Sequence, residues 1–240
     1  MKSVEVSIII VNYKTPKLTK DCVESIKKSL PKVPYEIIVI DNSIDNIGFA
    51  KANNKGIKKA KGRYILLLNS DTIVKKGALD KLYDFAKIHD DAGVVAPKLL
   101  NTDGSIQPSV FRFPTIAKAI EQYFFGKKNL LDKYIPETQT VEVAVMAAFL
   151  ITPKAIEQVG LLNEKYFMYF EDFDYCRRVA KAGLKIYYLP TAEIIHIHGA
   201  SGGNIKYLQQ SAKKYHGFVG YYIYTSVLWL GQKLNKFNLK

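Results

Sequence analysis

The densest cluster of reactive side chains in this 240-residue chain is Phe167-Met168-Tyr169-Phe170-Glu171-Asp172-Phe173-Asp174. It places three carboxylates within four positions at the start of a helical pattern, among aromatic neighbours. Like charges this close repel, and apolar surroundings disfavour ionisation, so at least one carboxyl should have a pKa raised toward that of a general base. Arg177 and Arg178 can pair with Glu171 or Asp174 and give one of them a structural role, but they do not account for all three acids. Asp71 closes an apolar run and suits either a divalent cation or the cap of a following helix. His196 and His198 alternate on a strand before Gly199-Ala200-Ser201-Gly202-Gly203, so only one of them should enter a site beside that glycine-rich turn. The run NIGFAKANN, residues 46–54, opens a helix with small residues, which fits either a phosphate at the helix N-terminus or tight helix–sheet packing.

The elements that must hold these groups are legible as alternating strands and helices. Residues 4–11, 36–40 and 64–68 are apolar, β-branched runs that read as buried strands, and 92–96 as a further short one. Between them, helical patterns cover residues from Thr15-Pro16 to the prolines Pro31 and Pro34, then 46–61, then 77–90. Such alternation implies a mostly parallel sheet flanked by helices, with ligands outside the carboxyl ends of the strands. The first three strands all end in polar residues: Asn12-Tyr13, Asp41-Asn42 and Asn69-Ser70-Asp71. Three polar strand ends in succession point to a site there. Residues 101–140 are irregular, with a turn at NTDGS, and read as an insertion or covering loop. Beyond them the pattern predicts a strand over 141–151 and a short helix at 153–159. It then predicts a helix over 170–181, strands over 184–189 and 192–197, and one long helix from Ile205.

Composition narrows the function classes. A formal charge of +13 attracts polyanions, whether nucleic acid, acidic lipid or phosphorylated ligands. No zinc-finger spacing or RNP-type motif accompanies it, which argues against nucleic acid. No GxGxxG follows a strand, which argues against a dinucleotide-dependent oxidoreductase. Cys22 and Cys176 form no CxxC pair, so no disulfide is expected. The start of the chain does not read as a signal peptide, and no stretch reaches the ~20 apolar residues of a spanning helix.

Taken in order, SIIIVNYK, VIDNS, NIGFAKANNKG, ILLLNSDT, AAFLITPKAIEQVG, YFMYFEDFDYCRRVAKAGLKIYYLP and HIHGASGG resemble family 2 glycosyltransferases of the GT-A fold, in particular the rhamnosyltransferase-like branch. The similarity spans roughly residues 5–220. It implies a Rossmann-like, mostly parallel α/β sheet. It also implies transfer of a sugar, with inversion, from a dTDP- or UDP-sugar to a glycan or lipid-linked acceptor. Val11, Asn12, Tyr13, Asp41 and Asn42 would bind the nucleoside, and Gly48, Ala50 and Asn53 would line the donor pocket. Asn69-Ser70-Asp71 occupies the place of the DxD motif, so Asp71 would hold Mn2+ or Mg2+ with help from His196 of the His-x-x-Gly-x-Ser pattern. Glu171-Asp172 matches the family's ED pair, with Asp172 as catalytic base.

Five positions depart from the family pattern. Asn69 replaces the first DxD aspartate and motivates an alternative, a catalytically silent nucleotide-sugar binding module. Ala147, Thr152-Pro153 and Asn163 differ on what the resemblance makes the acceptor side. The expected organisation is a catalytic domain over 1–204, with its nucleotide half near 1–100 and its acceptor half near 101–204, then a helical extension over 205–240. Within that extension, residues 218–230 (FVGYYIYTSVLWL) are apolar and aromatic between lysines. This segment fits a peripheral anionic membrane surface at the cytoplasmic face, or equally a core-packing or homodimer helix.

Overall fold

The computed structural model describes residues 3–127, 130–131, 133, 135–136, 139–197 and 204–237, with residues 235–237 described by backbone only. The chain opens with strand β1 (Val6–Asn12), helix α1 (Pro16–Lys28), β2 (Tyr35–Asp41), α2 (Phe49–Ile57), β3 (Tyr64–Asn69) and β4 (Thr72–Val74). There follow α3 (Ala78–Ile88), β5 (Ala92–Leu100), β6 (Ile106–Gln107), β7 (Val110–Phe111) and α4 (Ile116–Phe124). The remainder is β8 (Thr140–Val141), β9 (Val143–Ala144), β10 (Ala148–Ile151), α5 (Pro153–Val159), α6 (Glu171–Lys181), β11 (Lys185–His196), α7 (Ile205–His216) and α8 (Phe218–Phe237).

The main sheet runs β2-β1-β3-β10-β5-β11-β4. Strands β2, β1, β3, β5 and β11 point one way, while β10 and β4 are antiparallel to their neighbours. Helices cover both faces, which is why β1 and β3 read as unbroken apolar runs rather than alternating ones. Side chains still alternate along the pleat. Ile8, Ile10, Leu66 and Leu68 pack with Cys22 and Ile26 of α1 and Leu79 and Leu82 of α3. Ile9, Ile65 and Leu67 pack on the other face with Ala50 of α2 and Tyr175, Cys176 and Val179 of α6. Both cysteines are free and buried.

The fold corrects several sequence expectations. The strand expected over 141–151 is three short ones, because the chain leaves the sheet twice. The carboxylate of Glu142 turns to accept from Phe113 N and Lys118 Nζ, and Val145 N donates to Ser109 O. Residues 145–147 are thereby freed to line a cavity. The two strands expected over 184–197 are one, β11, with a register shift between Leu189 and Glu193 around Pro190, whose missing N–H cannot join the ladder. The single C-terminal helix is two, divided at Gly217, which has φ +74°. Asp71 is followed by a strand, so it caps no helix.

Candidate functional site

The carboxyl ends of β1, β2 and β3 lie at one edge of the sheet, with Asn12 opposite Asp41 and Val11 opposite Asn69. Asn12 and Asp41 brace this edge and do not line the cavity beyond it. The Asn12 amide donates to Asp41 Oδ1 (3.2 Å), and its carbonyl accepts from Thr15 N and Thr19 Oγ1. Asp41 is exposed, and hydrogen bonds from Ser43 and Asn12 hold its carboxyl below the usual range. Asn42 is buried and shapes the entry to α2, accepting from Ile47 N and donating to Asn46 Oδ1, which in turn accepts from Gly48 N.

Gly48 does not contact the cavity but is required behind it. It has φ +86°, and a Cβ there would come within 2.5 Å of Phe167 O, the atom that accepts from Phe49 N. Ala50 and Asn53 are likewise packing residues. Ala50 is sealed in the core, and the Asn53 amide donates back to Phe49 O within the helix. Of the nucleoside-side candidates, Val11, Tyr13, Asn42, Asn69 and Ser70 do border the cavity, whose volume is about 490 Å³.

The opposite wall is the segment from Met168 to Phe173. Tyr169 and Phe170 adopt consecutive left-handed conformations (φ 70° and 68°), a strained state for L-residues that surrounding contacts must hold. Tyr169 Oη accepts from Asn204 N, Met168 O accepts from Ser211 Oγ, and the Phe170 ring packs on Phe173 and Tyr215. The turn delivers Glu171 and Asp172 into the cavity at the start of α6.

The three carboxylates separate by role. Asp174 is the structural one. It is buried, and Arg178 Nε donates to it at 2.8 Å with Tyr166 Oη at 3.4 Å. Asp172 accepts from Phe173 N, and burial lifts its pKa to about 6 although the Lys133 ammonium opposes the rise. Burial and then the neighbouring Asp172 charge push Glu171 to about 8, and its Oε1 is buried without a hydrogen-bond partner. At neutral pH Glu171 is therefore a neutral acid and Asp172 largely a carboxylate.

This assignment has a consequence for stability. A carboxyl whose pKa is raised on folding binds more protons in the native state. Stability therefore falls as pH rises from its ordinary 4.5 to about 8, at up to about 1.4 kcal/mol per pH unit. Glu171→Gln removes that loss. The variant is expected to match the parent at the acid end of this window and to exceed it by a few kcal/mol at the alkaline end. Thermal melts across the window check this, and parallel curves for the two proteins would refute it.

Across the cavity, Asp71 Oδ1 lies 3.4 Å from His196 Nε2, and both side chains are buried. Gln107 fixes the imidazole: its Oε1 sits 2.8 Å from His196 Nδ1, while its amide nitrogen donates to Asn101 Oδ1 and to His196 O. Since the Gln107 oxygen can only accept, Nδ1 carries the proton and Nε2 is turned toward the carboxylate. A carboxylate oxygen beside an imidazole nitrogen, braced by a second residue, is a donor pair that fits a divalent cation. Among the described residues no group of three or more His, Cys, Asp or Glu is arranged to hold a metal ion. Mg2+ and Mn2+ commonly take few protein ligands and draw the rest from water and phosphate.

Two residues that sequence reasoning missed complete the site. Gln107 lies on a two-residue strand, and only the preceding NTDGS turn marked its neighbourhood. Lys133 reaches the cavity from the irregular 101–140 region, with its ammonium 5.5 Å from the Phe111 ring centroid and its pKa lowered by burial. No local pattern distinguishes it from the other lysines. Of the positions assigned to the acceptor side, Ala147 does border the cavity, and its carbonyl accepts from Asn69 N. Thr152 instead caps α5, accepting from Ala155 N, and Asn163 closes a turn onto Lys165 N. His198, Gly199 and Ser201 lie outside the described residues.

The sequence profile described as "Glycosyltransferase like family 2" matches residues 4–217. The chain belongs to this family. Among the family's relatives, it is 30% identical over 149 residues to the N-acetylglucosaminyl-diphospho-decaprenol L-rhamnosyltransferase of Mycobacterium tuberculosis, covering 58% of this chain and 48% of that one. The chain thus spans about half the length of the mycobacterial protein. It is 26% identical to the rhamnosyltransferase WbbL of Escherichia coli, with 80% of this chain and 83% of that one covered. Among solved structures, it superposes on GalNAc-T7 with UDP, GalNAc and Mn2+ at a TM-score of 0.63 and 16% identity, over 87% of this chain and 48% of that one. It also superposes on Staphylococcus aureus TarS with UDP at a TM-score of 0.58 and 16% identity, over 93% of this chain and 69% of that one. The family's fold is the GT-A fold, which agrees with the sheet and helices described above.

Proposed function

We propose that the chain is an inverting glycosyltransferase. It would move a sugar from a nucleoside-diphosphate donor to a hydroxyl of a glycan or lipid-linked acceptor. The observation that carries the reading is the meeting of two kinds of group in one cavity: the Asp172 carboxylate, and the Asp71–His196 pair, at the carboxyl edge of the strands. A single displacement needs a base for the acceptor and a stabiliser for the leaving group, and no covalent intermediate.

Asp172 would take the proton of the acceptor hydroxyl as that oxygen bonds to the anomeric carbon. The bond from that carbon to the diphosphate oxygen breaks with its electron pair, so the configuration inverts. Glu171, neutral beside it, adds no second negative charge against the incoming hydroxyl. Asp71 and His196 would hold a Mn2+ or Mg2+ ion, which supplies positive charge to the departing diphosphate. Val11 and Tyr13 would pack against the nucleoside, with Asn42 and Ser70 offering hydrogen bonds. The names of the mycobacterial and Escherichia coli relatives favour rhamnose as the sugar, and the UDP-bound neighbours support a dTDP- or UDP-linked donor.

Calorimetric titration with UDP and with dTDP, each with and without manganese, tests the reading. Binding of one nucleotide, strengthened by manganese, is the expected result. Failure of both nucleotides to bind under every condition would remove the donor site and the proposal with it. A second reading, a silent nucleotide-sugar binding module, is favoured by Asn69 alone. It predicts the same titration with no release of nucleotide from the sugar donor in any acceptor mixture.

A further inference from the structure

The two C-terminal helices carry an apolar surface that the donor site does not use. Helix α8 exposes Phe218, Tyr222 and Trp229 on one stripe and Val219, Ile223, Leu230 and Leu234 on the next. These spacings place both stripes on the same side of the helix. Phe218 is 73% exposed and Trp229 56% exposed, where a helix facing water would carry polar residues. The opposite side of α8 is used for packing. At Gly231 it meets Tyr123 of α4 so closely that any Cβ would collide with that side chain. Helix α4 adds exposed Ile120 and Phe124, and the residue that follows it, Phe125, is 75% exposed.

Charge identifies what covers this surface. From 205 to the end of the chain there are six lysines and no acidic residue, and no Asp or Glu follows Glu193. Lys213 lies over the rings of Tyr221 and Tyr222, and Lys233 lies 4.0 Å over Trp229, so cationic heads sit directly on the aromatic face. A second copy docked here by two-fold symmetry would bring lysines against lysines with no carboxylate from α7 or α8 to separate them, and the acid on α4, Glu121, is already paired with Lys127. Among the described residues no helix is long and apolar enough to cross a membrane. Aromatic rings with lysines at their margin match the headgroup region of an anionic bilayer, where rings enter the acyl boundary and ammonium groups stay among the phosphates.

We propose that the exposed face shared by α8 and α4 docks on an anionic lipid surface and holds the enzyme flat against it. The inference rests on these helices and not on the reading of the donor cavity. The chain has a single tryptophan, Trp229, so its emission reports this face directly. The experiment is flotation of the full chain with vesicles of phosphatidylcholine alone or of phosphatidylcholine and phosphatidylglycerol in equal parts, with Trp229 emission recorded in parallel.

The expected result is a bound fraction roughly tenfold or more higher on the phosphatidylglycerol vesicles, a blue shift of the emission, and weakening as salt is raised. The double variant Phe125→Glu/Phe218→Glu changes two exposed side chains and should lose flotation while keeping the far-ultraviolet circular dichroism and nucleotide affinity of the parent. Equal binding to both vesicle types, no binding to either, or undiminished flotation of the folded double variant would each overturn the proposal. A blue shift that grows with protein concentration in the absence of lipid would overturn it in favour of a second copy.

Discussion

Asp172→Asn is expected to lower kcat by about 10²–10⁴-fold while leaving nucleotide affinity close to that of the parent. The change is nearly isosteric and replaces a carboxylate that burial already disfavours, so the fold should tolerate it. The pH dependence distinguishes a base from a binding group. With its pKa raised to about 6, Asp172 is protonated below that value and ionised above it. The parent's kcat/KM should therefore climb to a plateau through about 6, and the residual activity of the variant should lack that limb. Steady-state rates with a sugar donor, alongside the nucleotide titration, give both readouts. An Asn variant with unchanged kcat, or one that retains the acid limb, would move the base to another residue. Glu171 is placed to be that residue only where the pH exceeds about 8, since below it the carboxyl is protonated.

What could be read from the sequence followed the range of the interactions involved. Strands buried on both faces announce themselves as apolar runs, so β1 and β3 were legible; β2, a half-buried edge strand, reads the same way because its residues are also apolar, and the polar ends of all three mark the edge where the cavity lies. The acids at 171–174 were visible as a group, but which of them is structural depends on Tyr166 and on Arg178 being turned toward Asp174 rather than Glu171, a matter of packing. The run NIGFAKANN fitted either of two uses, and its residues divide. Gly48 makes room for Phe167 O, and Ala50 and Asn53 are packed inward, while Asn46 and Phe49 border the cavity. Gln107 and Lys133 were invisible because each acts through a partner distant in sequence. Gln107 meets His196 across 89 positions, and no periodicity records such a contact.

The same long-range contact governs the second large effect. Asp71→Ala should abolish the strengthening of nucleotide binding by manganese, a loss of roughly hundredfold or more in the cation-dependent part of the affinity. It should do so without unfolding the chain. The strand edge at Asp71 is held by its backbone, with Ile197 N donating to Asp71 O at 2.8 Å, and the neighbouring Thr72 Oγ1 donates to Asn69 O. His196 keeps its orientation in the variant, because Gln107 and not Asp71 fixes its Nδ1 proton. Of the pair only the imidazole then remains, and a single nitrogen ligand holds Mg2+ or Mn2+ poorly, since these ions favour carboxylate oxygen. Asn69 brings an amide rather than a charge to the same edge and cannot replace the lost carboxylate. Titration of the variant with nucleotide, with and without manganese, reads this directly. If the two curves stay as far apart as in the parent, the cation binds elsewhere. If both collapse while circular dichroism is unchanged, Asp71 contacts the nucleotide itself.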